Sequence, residues 1–140
     1  MNQVMDVMST GIDFCTPLDN VYEVAVKMKK DDVGIIPILE DGKLVGVITD
    51  RDIVLDGTAE KKPGSTKVTD IMTTKLVTVT PETSCEEAAR LMAKEQIRRL
   101  PVVEDGRLVG MLSLGDLATE KVSDSSAGKA LSEISEDKLH

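Results

Sequence analysis

Apolar residues follow two rhythms along this chain, and each rhythm appears twice. At Val21, Val24, Ala25 and Met28, and again at Cys85, Ala88, Ala89 and Met92, they fall at i, i+3, i+4 and i+7. That is the spacing of a helix with one buried face. Asn20 with Glu23 and Ser84 with Glu87 have the spacing of a capping box, so helices are predicted over 20–30 and 84–94. Unbroken apolar runs follow, Ile35 to Leu39 and Leu100 to Val103, and then Leu44 to Ile48 and Leu108 to Leu112. Runs of this kind suit strands covered on both faces. Asp41-Gly42 and Asp105-Gly106 separate the paired runs and predict tight hairpins. Pro37 and Pro101 remove a ladder donor inside the first run of each pair, so that edge is expected to be unpaired or bulged.

The remaining segments complete the order. Residues 12–15 and 76–79 read as short strands closed by Thr-Pro at 16–17 and 80–81. Before them, Val4, Val7 and Met8, and Val68, Ile71 and Met72, predict single helical turns that pin the entry to each half. A second helix is expected to start at Thr49 and at Ser113. Residues 56–66, with Gly57, Pro63, Gly64 and several lysines, read as a solvated linker, and the stretch beyond Ala118 is polar.

These parallels share one offset of 64 residues, which brings Pro37, Glu40, Asp41, Gly42, Leu44, Val45, Gly46 and Asp52 onto identical partners in the second half. The chain is therefore a tandem duplication. The expected division is a first unit over 1–60, a linker at 61–67, a second unit over 68–122 and a polar tail over 123–140. Units of this size have marginal cores when alone, so they are expected to pack on each other.

Composition narrows the function classes. The 140 residues carry a formal charge of −8, which opposes nucleic-acid binding. No apolar run is long enough for a membrane span and no leader is evident, so no membrane association is expected and a cytoplasmic location is. The single histidine, His140, and the two cysteines supply neither a zinc site nor His-based catalysis. Cys15 and Cys85 each align with a valine of the other copy and read as core filling. No catalytic residues and no metal ligands are assigned.

The pattern Pro-h-h-x-Asp-Gly-x-h-h-Gly-h-h-[Ser/Thr]-x-x-Asp, where h is apolar, occurs in both halves within the order strand, helix, hairpin, helix. It resembles the CBS domain, and the tandem pair resembles a Bateman module of the stand-alone bacterial or archaeal type. The resemblance implies an α+β fold of two tandem βαββα units with pseudo-two-fold symmetry and a homodimer in the form of a flat disc. It also implies adenine-nucleotide binding in clefts between the repeats, by AMP, ADP, ATP or a similar compound. By the same resemblance Thr49 with Asp52, and Ser113 with Asp116, contact ribose and phosphate. Ile35, Ile36 and Pro37, and Arg99, Leu100 and Pro101, line the adenine, together with segments 9–12 and 73–76, which include Lys75. Arg51, Arg98 and Arg99 are the candidates for phosphate.

A plainer reading stands beside each of these. A hydroxyl followed three residues later by Asp is what a helix N-cap requires without any ligand, and the apolar residues are ordinary core. The function expected is a regulatory or sensor module, not an enzyme, that reports an adenosine-containing ligand to an unknown protein target. The alternative is a purely structural dimerisation or interaction module with no small-molecule ligand.

Overall fold

The computed structural model describes residues 2–119. They form two compact units, cut differently from the sequence repeat. A central unit spans residues 13–76, and a split unit joins residues 2–12 to 77–119. The lead-in of each copy thus folds with the other copy. The expected boundaries at 60 and 68 do not coincide with these units, and the polar tail over 123–140 lies outside the described residues.

In the central unit, α1 (Val21–Asp31) leads into β1 (Ile35–Glu40), β2 (Lys43–Thr49) and a short α2 (Asp50–Asp52). A π-helical turn, Ile53–Gly57, and a 3-10 turn, Thr58–Glu60, continue from α2. In the split unit the order is α3 (Cys85–Glu95), β3 (Arg99–Glu104), β4 (Arg107–Ser113) and α4 (Leu114–Thr119). The lead-ins form the predicted single turns, Val4–Asp6 and Val68–Asp70.

Both long helices start where their caps predict. The Asn20 side chain accepts from the Glu23 amide at 2.9 Å, and Glu23 Oε1 accepts from the Asn20 amide at 3.2 Å. On α3 the Ser84 hydroxyl accepts from the Glu87 amide at 3.1 Å, without the reciprocal bond. The other free amides of α1 donate to what was expected to be solvated linker: Val21 to the Thr66 carbonyl and Tyr22 to the Gly64 carbonyl, both at 2.9 Å. That linker is therefore a capping element of α1. Its counterpart in the split unit is Asn2, whose carbonyl accepts from the Cys85 amide at 3.1 Å.

The hairpins form as predicted. Asp41 and Gly42, with φ of 52° and 81°, and Asp105 and Gly106, with 52° and 80°, have the two consecutive left-handed residues of a type I′ turn. Each strand pair carries a register shift just beyond the proline, between Ile38 and Leu39 and between Val102 and Val103. The predicted first strands shrink to one parallel bridge each, Cys15 with Ile38 and Val79 with Val102. The Cys15 amide donates to the Pro37 carbonyl (3.0 Å) and the Leu39 amide to the Cys15 carbonyl (2.8 Å), so this edge uses the groups that proline leaves intact.

Each unit has its own core. Ile36, Ile38, Ile48, Val24 and Cys15 pack with Val68 and Ile71 in one. Leu100, Val102, Leu112, Leu117, Met92 and Cys85 pack with Val4 in the other. Both cysteines are buried and free, and burial pushes the Cys15 thiol up to about 11 and raises that of Cys85. One helix position departs from the expected stripe: Ala89 is buried but Ala25 is exposed.

Candidate functional site

In both units the strand that closes the hairpin turns into a short helix, and a lead-in segment crosses beside that turn. In the central unit the Thr49 hydroxyl accepts from the Asp52 amide (3.0 Å), while Asp52 Oδ2 accepts from the Thr49 amide (2.9 Å). Ser113 and Asp116 repeat the arrangement in the split unit at 3.0 and 2.9 Å. These four residues therefore do form capping boxes. Each carboxylate caps through Oδ2, and among the described residues no hydrogen bond is made by Oδ1 of either, which leaves an acceptor edge on each.

The lead-ins complete the turns. Thr73 exchanges backbone hydrogen bonds with Val47 at 2.8 and 3.0 Å, and its hydroxyl lies 3.5 Å from Asp52 Oδ2. Ser9 exchanges the same pair with Met111 at 2.9 and 3.0 Å. Glycine in the strand permits this approach. A Cβ on Gly46 would lie 2.6 Å from Met72 Sδ and 3.2 Å from the Thr73 carbonyl oxygen, and one on Gly110 would lie 2.6 Å from Met8 Sδ and 2.8 Å from the Ser9 carbonyl oxygen.

The structure gathers the predicted residues unevenly. In the split unit Arg99 is opposite Ser113 in the strand register, and the Leu114 amide donates to the Arg98 carbonyl at 2.9 Å. Both arginines are exposed, so basic side chains flank the turn that carries Asp116. In the central unit Ile35 is opposite Thr49, and the Asp50 amide donates to the Gly34 carbonyl at 3.0 Å. Arg51 is exposed there, its amide held by Asp50 Oδ1 at 2.8 Å. Ile36, Pro37, Leu100 and Pro101 are buried, and Ile36 and Leu100 pack in the cores. Lys75 is exposed and belongs to the central unit. Thr73 belongs to the 73–76 segment that the resemblance implies, but its place beside Asp52 was not legible, because an offset of 64 aligns it with Ser9 and says nothing of which copy it packs on.

The CBS domain family matches residues 4–55 and again residues 68–123. The chain belongs to this family. The CBS domain-containing protein YhcV of Bacillus subtilis is 46% identical over 140 residues, covering all of both chains. Two solved structures extend the comparison to ligands. CBSX2 in complex with AMP superposes with a TM-score of 0.77 at 30% identity, covering 89% of this chain and 99% of that one. The CBS domain pair of protein MJ0100, in complex with methylthioadenosine and S-adenosylmethionine, gives 0.77 at 28% identity, covering 86% and 96%. Two CBS repeats in an α+β fold are thus what the duplicated pattern encodes. Among the described residues no three His, Cys, Asp or Glu side chains gather as metal ligands, and no helix is long and apolar enough to cross a membrane.

Proposed function

We propose that this CBS protein is a cytoplasmic regulatory module that binds an adenosine-containing ligand, and that the split unit carries the better site for a phosphorylated one such as AMP, ADP or ATP. The observation that carries the reading is the Ser113–Asp116 turn with Arg98 and Arg99 beside it. An ionised carboxylate edge is acceptor-only and suits the two hydroxyls of a ribose. Arginines suit phosphate because they present several fixed donors. The ligands of CBSX2 and MJ0100 support the adenosine part.

In the central unit the corresponding turn holds Thr49, Asp52 and Thr73, with Arg51 next to Asp50 and Asp52. Its extra carboxylate disfavours phosphate, so this turn takes the weaker role. The module would report its occupancy to an unknown protein target. Complete capping boxes also suit a structural module whose sites stay empty, and the same experiment decides between the two.

That experiment is calorimetry with adenosine, AMP, ADP, ATP and S-adenosylmethionine on the wild type and on Asp116→Asn. Asn keeps the size and much of the cap but loses the charged acceptor. Affinity should fall by about tenfold or more, or at least about 1.4 kcal/mol, while the unliganded Tm barely moves. Arg98→Ala with Arg99→Ala should weaken the nucleotides more than adenosine. Loss of unliganded stability alone would make Asp116 only a cap, and no binding to the wild type would favour the structural module.

A further inference from the structure

Each glycine beneath a lead-in has a methionine sulfur against it. Met8 and Met72 lie 64 positions apart, as Gly46 and Gly110 do, so both copies of the duplication keep the pair. The fit is close. A Cβ on Gly110 would stand 2.6 Å from Met8 Sδ, and one on Gly46 the same distance from Met72 Sδ, so each sulfur fills the space that a side chain on the strand would take. Met8 packs against the core that holds Val4 and Leu112, and Met72 against the core that holds Ile48 and Val68. Neither is enclosed, however. Both are half-buried, whereas Met28, Met92 and Met111 are 8%, 0% and 7% exposed and Met5, at 49%, is open to solvent.

A thioether in this position is within reach of a small oxidant and has a structural consequence when it reacts. The sulfur attacks one oxygen of hydrogen peroxide, an S–O bond forms as the O–O bond breaks, and the second oxygen leaves as water. Sulfur loses two electrons and the peroxide gains them. The product is a polar sulfoxide in place of an apolar thioether. An oxygen on the strand side of the sulfur has no room above the glycine, and one on the outer side draws the group toward water. Both turn the side chain off the strand. The next residue along, Ser9 or Thr73, makes the pair of backbone hydrogen bonds that holds each lead-in to Met111 or Val47, and Thr73 also stands beside Asp52. We propose that Met8 and Met72 are peroxide-sensitive modification sites, whose conversion to the sulfoxide releases the lead-ins from Gly110 and Gly46 and whose enzymatic reduction restores them. The inference stands apart from the ligand reading, since its readouts are oxygen uptake and amide exchange and not nucleotide affinity.

The test exposes the full, unliganded chain to hydrogen peroxide and follows oxygen uptake at each methionine by peptide mass spectrometry, with hydrogen exchange of the Ser9, Val47, Thr73 and Met111 amides read on the same samples. Met5 should react first, Met8 and Met72 next, and Met92 at least about tenfold more slowly than these two, in the order of exposure. Exchange at the four amides should quicken at least about tenfold as Met8 and Met72 are converted, not as Met5 is, and should slow again after treatment with methionine sulfoxide reductases. Met8→Leu with Met72→Leu is a swap of similar volume. That variant should keep its slow exchange after the same treatment, although Met5 is still oxidised. Three results would overturn the proposal: Met8 and Met72 reacting no faster than Met92, unchanged exchange once both are sulfoxides, or equal loosening of the leucine variant by peroxide.

Discussion

The two units were built from one template and differ most where the second helix begins. The split unit has Leu114 and Leu117 there, 3% and 1% exposed, and α4 packs on α3 through residues in the same core as Ala88 and Ala89. The central unit has Asp50 and Ile53 at those positions; Asp50 is exposed and Ile53 only partly buried. With one apolar anchor in place of two, α2 stops after three residues and passes into the π-helical turn Ile53–Gly57. Ala25 is left uncovered. A similar exchange occurs near the first bridge: Lys27 reaches the Asp13 carboxylate at 3.3 Å and the Phe14 carbonyl, where the split unit packs Leu91 and Val77 on its core. An exposed pair such as Lys27–Asp13 stabilises little. One copy has spent its apolar residues on its own core, and the other keeps some on its surface.

The largest effect that tests this contrast comes from truncating the second helices. Leu117→Ala removes a fully buried side chain and should cost about 3 kcal/mol in urea unfolding, against less than about half of that for Ile53→Ala. Equal costs would show that α2 consolidates its unit as well as α4 does. Next come the glycines under the lead-ins. At Gly110 a methyl would press on a backbone oxygen, but at Gly46 chiefly on the flexible end of Met72. Gly110→Ala should therefore destabilise by about 2 kcal/mol and Gly46→Ala by about 1, as overpacked sites do; the reverse order in denaturant melts would contradict the packing described.

The smallest effect concerns the buried thiols. Unfolded cysteine loses its proton near about 8.5, while burial holds the Cys15 proton to about 11. Between those values the native state binds more protons than the unfolded one, so stability contributed by this thiol is present below about pH 8.5 and declines as pH rises towards 11. Iodoacetamide at pH 8 should label Cys15 and Cys85 far more slowly in the folded protein than in urea. Labelling of native Cys15 at the unfolded rate would show that the core around it opens.

Local sequence was sufficient wherever a neighbour within four residues decides the conformation. Asn20 with Glu23, Ser84 with Glu87, Asp41-Gly42 and the buried stripes set both long helices and both hairpins, and the Thr49–Asp52 and Ser113–Asp116 spacings were legible as turns that cap a helix. The duplication and the family followed from the same order. Only the tertiary structure decided which copy each lead-in joins, because Val4 and Val68, or Ser9 and Thr73, are equally apolar or equally hydroxylated whichever core receives them. It likewise decided that Ala25 faces out while Ala89 faces in, since the two residues are identical and differ only in what packs beside them. Long-range burial depends on residues far apart in the chain, and no local pattern carries that information.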